Sequence, residues 1–452
     1  MVSPVFELHP SAQASIEALA NDAFDAVREL DLAKPKNSTD GWWQPDNAIT
    51  VTDSDIIGDP IMWLPQVGGE LAFVFLWEGN RAFGFTQTDH DKVTKLIDAV
   101  LKQKWAKKAI SSKYAERVFV NWARDRFLAR SMVDFSKFFL QKCGEDVRNL
   151  SVDIPIQNLA VQAPFDFGPT KIMPMGIPYF NSIREKLKDI NPEKIDAVDT
   201  LISKMQKDME DCSLIRLAVF AEPSYAQDAA LQQATDAVGL LRFFSVATVA
   251  SNVMCPVTPL GALSVPKSHV LVESPDGISY SSGVAVEDVD YWRISNTDVS
   301  EMSQEGLAAV GALLDADNLN DFKQSVRSSI LAFSRAITFA ELSDRLVFAF
   351  SAIESLMLKN SSEAIQQNVA ERVAFLIANT PAERKSIVDN FKKSYNMRSQ
   401  YIHHRLATVD VRELDQSFEN IRASLSVAVE NIEKFKSKDE FLAAIEHKKF
   451  GG

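Results

Sequence analysis

After about residue 299 the chain stops offering anything that pairs into a sheet. From there on, apolar residues recur at three- and four-residue spacing over residues 300–314, 321–336, 342–359, 364–378, 381–397 and 411–435, the period of successive amphipathic helices. One of these, Leu346-Val347-Phe348-Ala349-Phe350-Ser351-Ala352-Ile353-Glu354-Ser355-Leu356-Met357-Leu358, is apolar nearly all round. A helix without a polar face is stable in water only when neighbours cover it on every side, so it belongs at the centre of a bundle. The last third is therefore expected to be all-α with its own core, beginning near residues 296–303.

The chain before that boundary mixes two periods. Residues 11–30 read as an amphipathic helix. Residues 49–52, 71–77 and 81–86 are β-branched or aromatic strand runs, with turns at Gly68-Gly69 and Glu78-Gly79-Asn80. Residues 91–147 return to helical spacing. A second mixed stretch follows: a strand over 151–161, a turn-rich segment over 165–170, helices from 181, a strand over 212–221 and a long helix over 225–244. Short strands over 268–273 and 278–281 then flank Pro275-Asp276-Gly277. This order predicts an α+β protein in three parts: an α+β sensor or regulatory region over 1–150, a second α+β region over 151–298, and the helical domain over 299–452.

With 452 residues, 46% of them hydrophobic and 24% charged, the chain has the composition of a globular protein. No basic segment followed by an apolar run opens it, and its longest apolar stretch, 243–257, is too short to span a bilayer. A cytoplasmic protein without membrane contact is expected. Three scattered cysteines argue against a disulfide framework and a zinc site. No Walker lysine motif, dinucleotide fingerprint or Gly-x-Ser-x-Gly elbow is present. A net charge of −13 repels nucleic acid at long range, so any nucleic-acid site must be local. The clearest basic cluster holds Arg384, Lys385, Lys392, Lys393, Arg398 and Arg405 against one acid, Asp389.

Inside that cluster Arg398 is followed after four residues by His403, with His404 beside it. Arginine clamps phosphate with a planar fork, and histidine moves protons near neutral pH. A metal-free ribonuclease needs both. On a regular helix His403 lies about 140° around from Arg398 and about 7.5 Å along, so one copy does not present them on one narrow face and a dimer suits the spacing better. In the central helix Ser351, Glu354 and Ser355 share a stripe. A carboxylate there needs a cation, and Arg398 and Arg372 are the candidates. The pair is then either a structural salt bridge or a device that orients Arg398.

Three pieces in order, residues 345–356 (RLVFAFSAIESL), 371–376 (ERVAFL) and 395–403 (YNMRSQYIH), resemble the Apea-like branch of the HEPN superfamily. These helical bundles include RNA-cleaving toxins and antiphage effectors. In that family a Ser commonly follows the Arg, as Ser399 does, and a Gly follows the His where this chain has His404. His403 and His404 both remain candidates. Residues 154–173 and 212–244 are similar to segments found upstream of such bundles.

The resemblance implies a metal-independent endoribonuclease, without cofactor, working at a two-fold interface between copies. Arg398 would hold the scissile phosphate and His403 would assist proton transfer, supported by Glu354, Ser399 and His404, with Lys392, Lys393 and Arg405 on the RNA. It implies tRNA or mRNA as substrate, a role in antiphage defence or toxin-like growth arrest, and a phage-derived trigger or regulatory partner at the N-terminal region. Arg405 stands where some family members carry a modifiable Tyr. The alternative is a catalytically silent bundle that binds RNA or dimerises.

Overall fold

A computed structural model describes residues 6–32, 62–66, 69–78, 81–190, 192–210, 212–262, 267–274, 277–284, 288–289, 291–360, 362–404 and 409–451. The expected strand over 49–52, both glycine turns in part, and Arg405 lie outside the described residues. The protein is α+β, and its last strand precedes a run of helices. It divides into two compact units: residues Met1–Leu150 with Val219–Ala229, and residues Ser151–Ala218 with Ala230–Gly452.

In the first unit α1 (Pro10–Phe24) is followed by β1 (Arg28–Leu30), β2 (Met62–Pro65), β3 (Leu71–Glu78) and β4 (Arg81–Thr86). The helix expected over 11–30 thus ends early, because residues 28–30 pair antiparallel with β4. The sheet runs β1-β4-β3-β2, antiparallel throughout. Its alternation sorts two cores: Phe73, Phe75 and Phe85 pack with the helices, while Ala72, Val74, Ala82 and Leu30 form a smaller cluster. Gly84 is required by close approach, since a Cβ there would lie 1.9 Å from the Phe73 carbonyl oxygen. Then come α2 (Gln87–Leu101), α3 (Ala106–Ala109), α4 (Ser112–Phe127) and α5 (Phe135–Asp146).

The second α+β stretch holds β5 (Arg148–Gln157), β6 (Leu159–Val161), β7 (Phe165–Phe167), β8 (Thr170–Pro174), α6 (Ile177–Ile190), α7 (Ile195–Asp208), β9 (Ser213–Ala221) and α8 (Pro223–Leu241). The segment expected as a turn over 165–170 is a β7–β8 hairpin with only its tip turned. At that tip Gly168 has φ +58°, and a Cβ on it would lie 2.1 Å from the Gly311 carbonyl oxygen. Two backbones touch where no side chain fits. Small strands follow: β10 (Val253–Met254), β11 (Thr258–Pro259), the hairpin β12 (Lys267–Ser274) and β13 (Gly277–Val284), β14 (Asp288–Val289) and β15 (Trp292–Ile294). The larger sheet runs β11-β5-β9-β8-β7.

The helical part contains α9 (Asn296–Gln304), α10 (Leu307–Ala312), α11 (Asp321–Ala336), α12 (Leu342–Met357), α13 (Ile365–Ile377), α14 (Pro381–His404), α15 (Val411–Glu430) and α16 (Lys438–Lys449). The single helix expected over 300–314 is split at Gly306, whose φ of +99° no right-handed helix accepts. The helix expected to stop at 397 runs on to His404, and the one expected to reach 435 ends at Glu430. Sequence periodicity passed over α16, which buries only Phe441, Leu442 and Ile445. α12 is central as expected: Leu346, Ala349, Phe350, Ile353, Leu356 and Met357 are fully buried. Among the described residues no helix is long and apolar enough to cross a membrane.

Candidate functional site

Polar contacts set the height of α14 in the bundle. Its buried positions Ile387, Asn390, Phe391 and Ser394 recur at three- and four-residue spacing and then stop. Facing α15, the Ser394 and Ser417 hydroxyls are 2.8 Å apart, and Asn390 donates to the Glu413 carbonyl at 2.8 Å and accepts from Asn420 at 3.2 Å. A buried polar network of this kind satisfies its members in only one register. It therefore decides where residues 395–404 emerge.

Beyond Ser394 the helix is half-wrapped. Tyr395, Arg398 and Tyr401, at successive three-residue steps, are partly buried, whereas Asn396, Ser399, Ile402, His403 and His404 are exposed. Arg398 Nη1 donates to Glu354 Oε1 of α12 at 2.6 Å, with the two side chains only 20% and 15% exposed. One turn on, the Tyr401 hydroxyl donates to Asp344 at 2.9 Å. Removing either partner of the half-buried Arg398–Glu354 ion pair leaves the other charge stranded. The rest of the expected α12 stripe does not serve the site. Ser351 and Ser355 donate to carbonyls of their own helix, Val347 and Ala352.

Arg372, the other candidate partner for Glu354, is engaged elsewhere. It donates to both oxygens of Glu363 at 2.8 and 2.9 Å, to Glu446 at 3.0 Å and to the Met357 carbonyl at 2.6 Å. The Arg372 hydrogen bonds hold the Glu363 carboxyl far below its usual range, at about 2.

Arg398 and His403 are not brought together within one chain, because α14 stays helical through both and turns them to different sides. Exposed instead is a line of Lys385, Lys392, Asn396, Ser399 and His403, whose sequence intervals of seven, four, three and four residues return to one helix face. Lys392 also borders a cleft of about 450 Å³ lined by Ile365, Gln366, Gln367, Glu371 and Val388. Lys393 is ion-paired with Glu413, which raises its pKa, so its charge is partly spent inside the protein. His404 is exposed on a neighbouring line.

Three residues at this site were not singled out from sequence. Tyr395, three residues before Arg398 on α14, has its hydroxyl buried, and Tyr401 and Asp344 form the second α12–α14 contact. The Tyr395-Arg398-Tyr401 spacing was the available signal. Arg345, fully buried, has no carboxylate among its hydrogen-bond acceptors within the described residues. It donates to the carbonyls of Phe339 and Val253 at 2.6 Å each and to that of Ser251. Among the described residues no three His, Cys, Asp or Glu side chains are grouped to hold a metal ion. Comparison with protein-family models, curated proteins and solved structures finds no match to this chain.

Proposed function

We propose that this chain is a metal-independent endoribonuclease of HEPN type, cytoplasmic and dimeric, acting in antiphage defence or toxin-like growth arrest. The observation that carries the proposal is the Glu354–Arg398 pair at the α12–α14 contact, beside an exposed helix face that ends in His403. A carboxylate on a rigid central helix fixes the direction of the guanidinium, as phosphate recognition requires. The 2′-hydroxyl oxygen attacks phosphorus as His403 assists removal of its proton. Arg398 stabilises the negative charge that grows on the phosphoryl oxygens. The 5′-oxygen leaves with a proton, giving a 2′,3′-cyclic phosphate and a 5′-hydroxyl. Since Arg398 and His403 face different ways, the working site takes one from each of two copies, and the line from Lys385 to His403 tracks the RNA backbone.

The second proposal, a silent bundle that binds RNA or dimerises, is favoured by the same pair: an arginine already held by a carboxylate has a structural job. Labelled total RNA and tRNA in excess chelator separate the two. Cyclic-phosphate ends are expected from the wild type and not from Arg398→Ala or His403→Ala, and mixing those two variants is expected to restore part of the activity. His404→Ala reports which histidine works. Cleavage that survives every variant, or none even after truncation of the N-terminal region, refutes the nuclease.

A further inference from the structure

Glu354 has an ion-pair partner in Arg398 and a second donor, the Tyr395 hydroxyl, close enough to feel its charge. Arg398 holds its Oε1. The other donor is the hydroxyl of Tyr395, three residues earlier on the same face of α14, its ring packed edge-on against buried Phe350 with centroids 4.7 Å apart. Among the described residues, Tyr395 Oη and Arg398 Nε are both buried without a hydrogen-bond partner. A buried phenol left without a hydrogen bond beside a carboxylate is an uncommon arrangement, because its hydroxyl has given up water for nothing. Burial first, and then the charge of Glu354 and its closeness to the hydroxyl, raise the Tyr395 pKa above that of a free phenol. The hydroxyl therefore keeps its proton and stays a donor.

We propose that Tyr395 is a positioning residue, the reserve donor for Glu354: when an anion draws the Arg398 guanidinium away, the Tyr395 hydroxyl donates to the carboxylate in its place. Naming that anion as an RNA phosphodiester rests on the proposed function; the exchange itself does not. Without a replacement, freeing Arg398 would strand Glu354 in a site where its side chain is only 15% exposed, and that cost would subtract directly from affinity for the anion. With the replacement, Arg398 can alternate between carboxylate and phosphate.

The test is a cycle on the intact chain, read first by thermal unfolding without RNA. In the wild type, Tyr395→Phe removes an orphan donor and should leave Tm unchanged or raise it. In Arg398→Ala, where the hydroxyl has taken over Glu354, the same change should lower Tm. Any cavity left by Arg398→Ala is common to both halves of that comparison. An equal effect in both backgrounds overturns the exchange. The second arm is fluorescence anisotropy with an uncleavable 2′-O-methyl oligonucleotide. Tyr395→Phe should weaken binding about tenfold, the worth of one hydrogen bond to a charged group, and should have no effect in Glu354→Gln, where no charge needs covering. An equal loss in both overturns the proposal. An oligonucleotide that does not bind the wild type overturns the naming of the anion as an RNA phosphodiester, and the unfolding cycle then decides the exchange alone.

Discussion

Glu363→Gln should change the stability of the helical part in a way that depends on pH. The wild-type carboxyl titrates at about 2 instead of 4.5, chiefly because Arg372 donates to both of its oxygens. A difference of about 2.5 units is roughly 3 kcal/mol at 1.36 kcal/mol per unit. Glu363 sits at the rim with 17% of its side chain exposed, so solvent screening brings this to about 2 kcal/mol. A carboxylate whose pKa is depressed by folding contributes fully above its unfolded value, and the contribution fades as pH falls toward the folded value. The wild type should thus exceed Glu363→Gln by about 2 kcal/mol at pH 7 and by less than half of that near pH 3. Urea unfolding followed by far-ultraviolet circular dichroism measures the gap. A slope of about 2–3 kcal/mol/M translates it into a midpoint shift of a little under 1 M at neutral pH. A gap that is absent at pH 7, or that stays constant down to pH 3, refutes the assignment of Arg372 as the cause.

Arg345→Met leaves three carbonyl groups without their donor, which should cost about 3–5 kcal/mol in the same urea assay; a near-neutral result would mean that water replaces the guanidinium. Gly168→Ala places a methyl group against the Gly311 carbonyl at φ +58° and should cost about 2–4 kcal/mol; an unchanged midpoint would rule out the close backbone contact. The Cys143 thiol is buried, and burial pushes it up to about 12, so a thiol reagent at pH 8 should label it only as the protein unfolds. Fast labelling of the native chain at Cys143, mapped by mass spectrometry, would contradict that packing.

Sequence alone determined the class and the passage from mixed strands and helices to a run of helices. Strand runs and helical spacing differ in period, and a nearly all-apolar segment such as 346–358 has few places to go, so the α+β character and the central position of α12 were legible from local pattern. Periodicity says less about ends. Gly306 breaks one helix through a backbone angle, and residues 28–30 leave another to pair with a strand far away in the chain. The amphipathic signal of α16 is faint because it buries so few residues.

Tertiary structure decided the partners. Arg372 and Arg398 were equal candidates for Glu354 by charge and helix position. Glu363 and Glu446, the latter carried on α16, hold Arg372, while the Asn390 and Ser394 contacts to α15 set α14 at the height that delivers Arg398 to Glu354. Which cation meets a carboxylate depends on the packing of helices distant in sequence, and so does the burial of the Tyr395 hydroxyl beside it. Spacing along a single helix carries no information about either.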